Sequence, residues 1–235
     1  ASHVVATAPN GAPIAEIELR QSNVYVIEGA RPILIDTGTL GDMPDLVSAL
    51  RDLDLRPADL RLAIVTHAHH DHAGLARDLR TDYGVKIMLG AGDEAQAARG
   101  EDDTLRPQNV TAFFLKPFLV EEFPEFEADY LVRTPIDLAP WGVSGVAIQM
   151  PGHTAGSIVV VLSNHVAFVG DEMLGGYFGG AIFPHHPGEH YYQADPEANR
   201  RNIRRLLAMG VETFLLGHGG PVSRADVAAA FGSTR

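Results

Sequence analysis

The chain has 235 residues, a formal net charge of −12 at pH 7 and no cysteine. That acidic excess argues against a nucleic-acid surface, which needs clustered Lys and Arg, and no apolar run is long enough to cross a membrane as a helix. Without thiols, any metal site must use nitrogen and oxygen donors, and no disulfide can report an oxidising compartment.

No charged-then-apolar leader precedes the first strand, so a cytoplasmic location is expected, while the start at Ala1 leaves a removed leader open. In chain order, "IAEIEL", "NVYVIE" and "PILIDTG" read as strands joined by tight turns, and "MPDLVSALRDL" as an amphipathic helix. The strand "LRLAIVT" follows, then a histidine cluster, the helix "GLARDLRTDYG" ended by Gly84, and the strand "VKIML". Further on, "GVAIQM", "SIVVVLS" and "HVAFVGD" read as strands, and "PEANRRNIRRLLAMG" as a helix opened by Asp195 and Pro196. "ETFLLGH" is a last strand and "RADVAAAF" a closing helix, which makes the chain an α/β protein.

The two halves echo each other. "PILID" ending at Asp36, a helix, and "LRLAIVTH" ending at His67 recur as "VAFVGD" ending at Asp171, a helix, and "VETFLLGH" ending at His218. This order suggests two αβ halves packed sheet to sheet, with polar strand ends meeting at one edge.

The segment "IVTHAHHDHAG" places four histidines and an aspartate in six consecutive positions after an apolar strand. Such groups are costly in a core without partners, and a metal ion would supply one. In an extended chain, His67, His69 and Asp71 face one point, and a turn after Asp71 brings His72 to a second, so two metal positions are expected. Three more donors lie beside glycines at strand ends or loops: His153 in "MPGHTAGS", Asp171 in "FVGDEM" and His218 in "LLGHGGP". Glycine there permits close approach of the chain.

These motifs, together with the "LIDTG" strand around Asp36, resemble those of the metallo-β-lactamase superfamily over nearly the whole chain. The resemblance implies one domain over residues 1–235, folded as a four-layer αββα sandwich with a binuclear site at one edge of its sheets. By matching positions, His67, His69 and His153 would hold one metal, Asp71, His72 and His218 the other, and Asp171 would bridge them. His70 fills a variable motif position with no ligand role. Asp36 would orient groups near the metals without binding them. Two divalent ions are implied, zinc first, with manganese or iron as alternatives on donor type. Coordinated water at a pKa of about 7 would then give hydroxide at neutral pH, and Asp71 would pass a proton to the leaving group.

The expected activity is hydrolysis of a small ester, lactone or related acyl compound. Main-group β-lactamases carry a cysteine where this chain has Asp171, which reduces β-lactam hydrolysis to a side activity. Glyoxalase II adds a C-terminal basic region for glutathione, whereas this chain finishes soon after His218, so glutathione thioesters lose ground. Homoserine-lactonases place a tyrosine three residues beyond the bridging aspartate, where this chain has Leu174. Phosphoester hydrolysis and a mononuclear iron persulfide dioxygenase, using His67, His153 and Asp171, are the alternatives.

Two segments are expected to shape the pocket. "NVTAFFLKPFLVEEFPEFEADY" holds half of the chain's phenylalanines, either as a wall, lid or dimer contact or simply packing Phe113, Phe114 and Phe118 onto the domain. In "LGGYFGGAIFPHHPGEHYYQ", Tyr177, His185, His186, Tyr191 and Tyr192 are candidates to donate to a substrate oxygen, with at most two expected to do so. The substrate is a small molecule, with no nucleic-acid or membrane partner.

Overall fold

Alternation of apolar residues along the strands decides the layering, because successive side chains point to opposite faces of a sheet. The computed structural model describes residues 2–102, 106–115 and 122–232. One sheet runs through β1 (Ser2–Thr7), β2 (Pro13–Glu18), β3 (Asn23–Ile27), β4 (Ile33–Ile35), β5 (Leu62–Val65), β6 (Lys86–Gly90) and β7 (Tyr130–Val132), in that order. The second holds β8 (Ile136–Asp137), β9 (Gly145–Gln149), β10 (Ile158–Leu162) and β11 (Val166–Gly170). A separate hairpin, β12 (Leu174–Tyr177) and β13 (Ile182–Gly188), precedes β14 (Thr213–Leu216) and β15 (Val222–Ser223), which complete the second sheet beside β11.

Leu62 and Ile64 of β5 point to the space between the sheets, where they join Ile35, Met88, Ile158, Val160 and Phe168. Ala63 and Val65 point the other way, into a core shared with the helices α1 (Met43–Asp52) and α3 (Ala76–Tyr83). In the second sheet Val159, Ala167 and Val169 face outward against α6 (Pro196–Ala208) and α7 (Arg224–Phe231). Strands covered on both faces need apolar residues on both, hence the near-continuous runs "LAIV" and "IVVVL". Burying one such Ile or Leu contributes about 1.5–3 kcal/mol. The result is the expected order helix, sheet, sheet, helix.

The internal echo has a structural counterpart. β4 and β5 are parallel neighbours joined through α1, and β11 and β14 are parallel neighbours joined through α6. A parallel pair needs a crossover, which a helix supplies, so in each pair both C-terminal ends emerge at the same edge. The helix signals operate as expected: Asp195 accepts from Ala198 N at 2.9 Å to open α6, and Gly84, at φ 73°, ends α3.

Three features depart from the sequence reading. α2 (His70–Ala73) begins inside the histidine cluster. The β12–β13 hairpin lies in a stretch rich in glycine and proline, residues depleted from strands, so propensity concealed it. Of the phenylalanine-rich segment, Phe123 and Phe126 pack into the helix-side core, whereas Phe113, on α5 (Val110–Leu115) after α4 (Glu94–Arg99), is exposed. Phe118 and the side chain of Phe114 lie outside what the structure describes. No helix among the described residues is long and apolar enough to cross a membrane.

Candidate metal centre

The polar residues predicted at strand ends converge at one edge of the two sheets. Asp36 follows β4, the histidine cluster follows β5, Asp171 follows β11, His218 follows β14, and His153 lies in the β9–β10 loop. Four overlapping donor groups form among the described residues: the two predicted sets, His67 with His69 and His153 and Asp71 with His72 and His218, and two that share Asp171, one with His67 and His72 and one with His153 and His190. Simple alternation would have put Asp71 with His67 and His69. The chain instead turns helical one residue after His69, which is still extended at φ −103°, ψ 154°, and so carries Asp71 to the second group.

In the first group His153 Nε2 lies 3.2 Å from His67 Nε2 and 3.1 Å from His69 Nδ1. Nitrogens bound tetrahedrally to one ion at ordinary metal–nitrogen lengths sit about 3.3 Å apart. The far side of these rings settles the direction of the lone pairs. His153 Nδ1 donates to Tyr192 O at 2.9 Å. His72 Nδ1 donates to Asp36 Oδ2 at 2.9 Å. Thr66 Oγ1 donates to Asp36 at 2.9 Å and so accepts from His67 Nδ1 at 3.1 Å. With their hydrogens committed outward, the neutral rings of His67 and His153 aim bare Nε2 atoms at one another, an arrangement a cation resolves.

Asp171 stands between the groups. Its Oδ2 is 3.3 Å from His218 Nε2, 3.7 Å from His153 Nε2 and 4.0 Å from His67 Nε2, and its Oδ1 is 3.4 Å from His72 Nε2. That Oδ1 is buried and has no hydrogen-bond partner among the described residues, as an oxygen reserved for a cation would be. Asp71 Oδ2 lies 3.2 Å from His218 Nε2 and 3.7 Å from His72 Nε2.

The charge pattern separates the groups. Burial and the surrounding imidazoles hold His67 and His153 well below the usual histidine range. Burial opposes charge on His72 too, but Asp171, Asp71 and Asp36 outweigh it and raise it to about 9. His218 is raised well above its ordinary value by Asp171 and Asp71, again against burial. Both carboxyls are held far below the ordinary aspartate value by these imidazoles, despite their own burial. The buried carboxylates thus carry the negative charge that a divalent cation neutralises.

Supports from both sheets fix the donors. Asp36, at φ 60°, a costly angle for a non-glycine residue, accepts from Thr66 N at 2.6 Å as well as from Thr66 Oγ1 and His72. Across the sheets, Asn23 N donates to Gly217 O at 2.7 Å, and Tyr25 Oη to Leu216 O at 2.7 Å, which pins the strand end bearing His218. Gly217 admits no side chain, since a Cβ would come within 2.2 Å of Asp171 Oδ1. A buried Asp93 accepts from Ala68 N at 3.0 Å, Thr154 Oγ1 at 2.7 Å and Gly156 N at 2.6 Å, tying the His67–His69 loop to the His153 loop. Asp93→Ala leaves these buried donors unmatched, each costing about 1 kcal/mol or more, so denaturant titration is expected to find a loss of about 3 kcal/mol.

The sequence matches the family model of the metallo-beta-lactamase superfamily over residues 17–218. The chain belongs to this superfamily. It is 28% identical over 189 residues to the hydroxyacylglutathione hydrolase GloC of Haemophilus influenzae, covering 79% of each chain. It is 25% identical to the Beta-lactamase-like protein 2 homolog of Drosophila melanogaster over 87% of this chain, which spans 60% of that protein's length. Among solved structures, the Rm3 metallo-beta-lactamase superposes with a TM-score of 0.67 at 17% identity, covering 98% of this chain and 90% of that one. The His and Asp clusters at the sheet edge are groups that could hold divalent metal, as expected in a superfamily whose members include a hydroxyacylglutathione hydrolase.

A cavity of about 350 Å³ opens onto the centre. Gln21, His70, Asp102, Leu174, Phe178 and Tyr191 contribute to its wall. His70 turns away from the metal donors: its Nδ1 meets Asp102 Oδ2 at 2.9 Å and its Nε2 meets Gln21 Oε1 at 2.9 Å, so it holds the rim together. The tyrosine expectations divide. Tyr191 lines the cavity, and its hydroxyl takes Phe178 N–H at 3.4 Å. Tyr192 also lines it, but its hydroxyl donates to Ala112 O at 2.7 Å. Tyr177, His185 and His186 are exposed on the hairpin and do not line the cavity, and His185 Nδ1 instead meets Pro221 O at 2.9 Å. Besides Asp93, sequence reasoning missed His190, buried, with Nε2 2.9 Å from Asp171 Oδ2. Three histidines share that segment, and only its alternate burial in the folded loop distinguishes the third.

Proposed function

We propose that the protein is a binuclear metal-dependent hydrolase acting on a small ester, lactone or related acyl compound, most simply as a zinc enzyme. The observation that carries this reading is Asp171, whose Oδ2 approaches His153 of one group and whose Oδ2 and Oδ1 approach His218 and His72 of the other. His67, His69 and His153 would hold one ion, and Asp71, His72 and His218 the other. When bound, the ions supply an activated water and the positive charge that a developing oxyanion needs.

The chain's own residues do the rest. Asp36 keeps the lone pair of His72 aimed inward, and the Tyr192 carbonyl does the same for His153. Asp71 is the most accessible of the carboxylates at the centre and lines the cavity, which suits a shuttle that would take up the proton lost by the nucleophilic water and pass it to a leaving oxygen. Leu174, Phe178 and Tyr191 offer an apolar wall for the acyl part, and the cavity suits a small molecule.

Elemental analysis of the purified protein, followed by a panel of lactones, esters, glutathione thioesters, phosphoesters and β-lactams, tests the reading. Two zinc or manganese ions per chain with turnover of lactones or esters is the expected result. One iron with oxygen consumption on persulfides would overturn it.

A further inference from the structure

His190 lies with His153 and Asp171 in a group of possible metal donors outside the two predicted sets, and among the described residues it makes the closest polar contact to Asp171. An ionised carboxylate only accepts hydrogen bonds, so the 2.9 Å separation between His190 Nε2 and Asp171 Oδ2 requires a hydrogen on that nitrogen. The other edge of the ring faces the Tyr192 main chain: Tyr192 N donates to His190 Nδ1 at 3.1 Å, and Tyr192 O lies 2.8 Å from the same nitrogen. The same Tyr192 carbonyl receives His153 Nδ1–H. The faces are fixed as well, since the His190 ring meets that of His153 edge-on, with centroids 4.4 Å apart. His190 is therefore a rigid donor aimed at one oxygen of the carboxylate that stands between the two donor groups.

We propose that His190 is a positioning residue for Asp171. A carboxylate hinged at Cβ can rotate about its last bond and present both oxygens to one ion. The hydrogen bond to Oδ2 stops that rotation and occupies one lone pair of that oxygen. Oδ2 then stays turned towards His218, His153 and His67, at 3.3, 3.7 and 4.0 Å from their Nε2 atoms, and Oδ1 towards His72 at 3.4 Å. Bridging thus depends on a residue that is not among the predicted ligands. Tyr192 becomes a shared strut, since its carbonyl orients His153 and its N–H orients His190; this explains why a tyrosine expected at the substrate is committed through its backbone to the metal centre. The inference rests on the binuclear reading above.

The test is zinc affinity. Metal-free protein, prepared with a chelator, is titrated with Zn²⁺ in competition with a chromophoric chelator, comparing wild type, His190→Ala, His190→Gln and Asp171→Ala. Removing a group that orients a ligand costs about 10–100-fold in metal affinity, so His190→Ala is expected to weaken one of the two binding steps by that factor. His190→Gln, whose amide N–H can reach the place of Nε2, is expected to recover most of the loss, which a packing role for the ring would not allow. Wild-type binding by His190→Ala would overturn the proposal, and so would equal loss in the Ala and Gln variants, which would make His190 a ligand itself. Asp171→Ala separates the two levels: if it binds zinc like the wild type, the binuclear reading fails first. Should His190→Ala not fold, His190→Asn, too short to reach Asp171, takes its place with the same expected loss.

Discussion

Asp171→Ala is expected to leave the protein with at most one divalent ion per chain and to lower hydrolysis about 10³-fold or more, since a metal's charge stabilisation of several kcal/mol converts at one decade per 1.36 kcal/mol. Among the described residues, no other carboxylate approaches donors of both groups so evenly, with Oδ1 at 3.4 Å from His72 and Oδ2 at 3.3 Å from His218 and 3.7 Å from His153. The apolar cores on either side of each sheet are untouched by the change, so the circular dichroism of the metal-free variant should match that of metal-free wild type. Elemental analysis and turnover of the best substrate from the panel are the measurements. Two tightly held ions and full turnover in Asp171→Ala would refute the bridging role.

The layering was legible because it rests on period and on apolar runs. "LAIV" and "IVVVL" are too apolar for a sheet with one wet face, and both turn out to be covered on both faces. The strand-end residues were legible because parallel pairs deliver their C-terminal ends to one edge, so Asp36, His67, Asp171 and His218 had to lie near one another once the echo was seen. The grouping of Asp71 was not legible from alternation, because the start of α2 at His70 depends on local backbone geometry within a run of polar residues that has no strong helix signal. Asp93 and His190 were invisible for a related reason. Each acts through contacts made across the fold, at separations of 25 residues from Ala68 and 19 from Asp171, and neither sits in a spacing that local chemistry explains. The glycine at position 217 was noticed as a permissive neighbour, but only the structure relates it to the space that Asp171 Oδ1 occupies.

Asp71→Asn separates ligand from proton carrier. The amide keeps an oxygen towards the second donor group but cannot deliver a proton. Asp71 is flanked by His218 at 3.2 Å and His72 at 3.7 Å, while its backbone carbonyl accepts from Ser22 Oγ, so the main chain there is held independently of the carboxylate. Metal content in the Asn variant is therefore expected to stay close to that of the wild type. Loss of a positioned acid typically costs about 10²–10⁴-fold, and the loss should fall on kcat, with KM little changed, because the group acts on the leaving oxygen and not on ground-state binding. The dependence should weaken as the leaving alcohol becomes more acidic, since a good leaving group departs without a proton; a series of aryl and alkyl esters reads this directly. Asp71→Ala, which removes the oxygen as well, should abolish turnover and lose one ion while keeping the fold. If Asp71→Asn instead loses an ion and its deficit is the same for every leaving group, Asp71 acts as a ligand alone, and the proton must reach the leaving oxygen from elsewhere in the cavity wall.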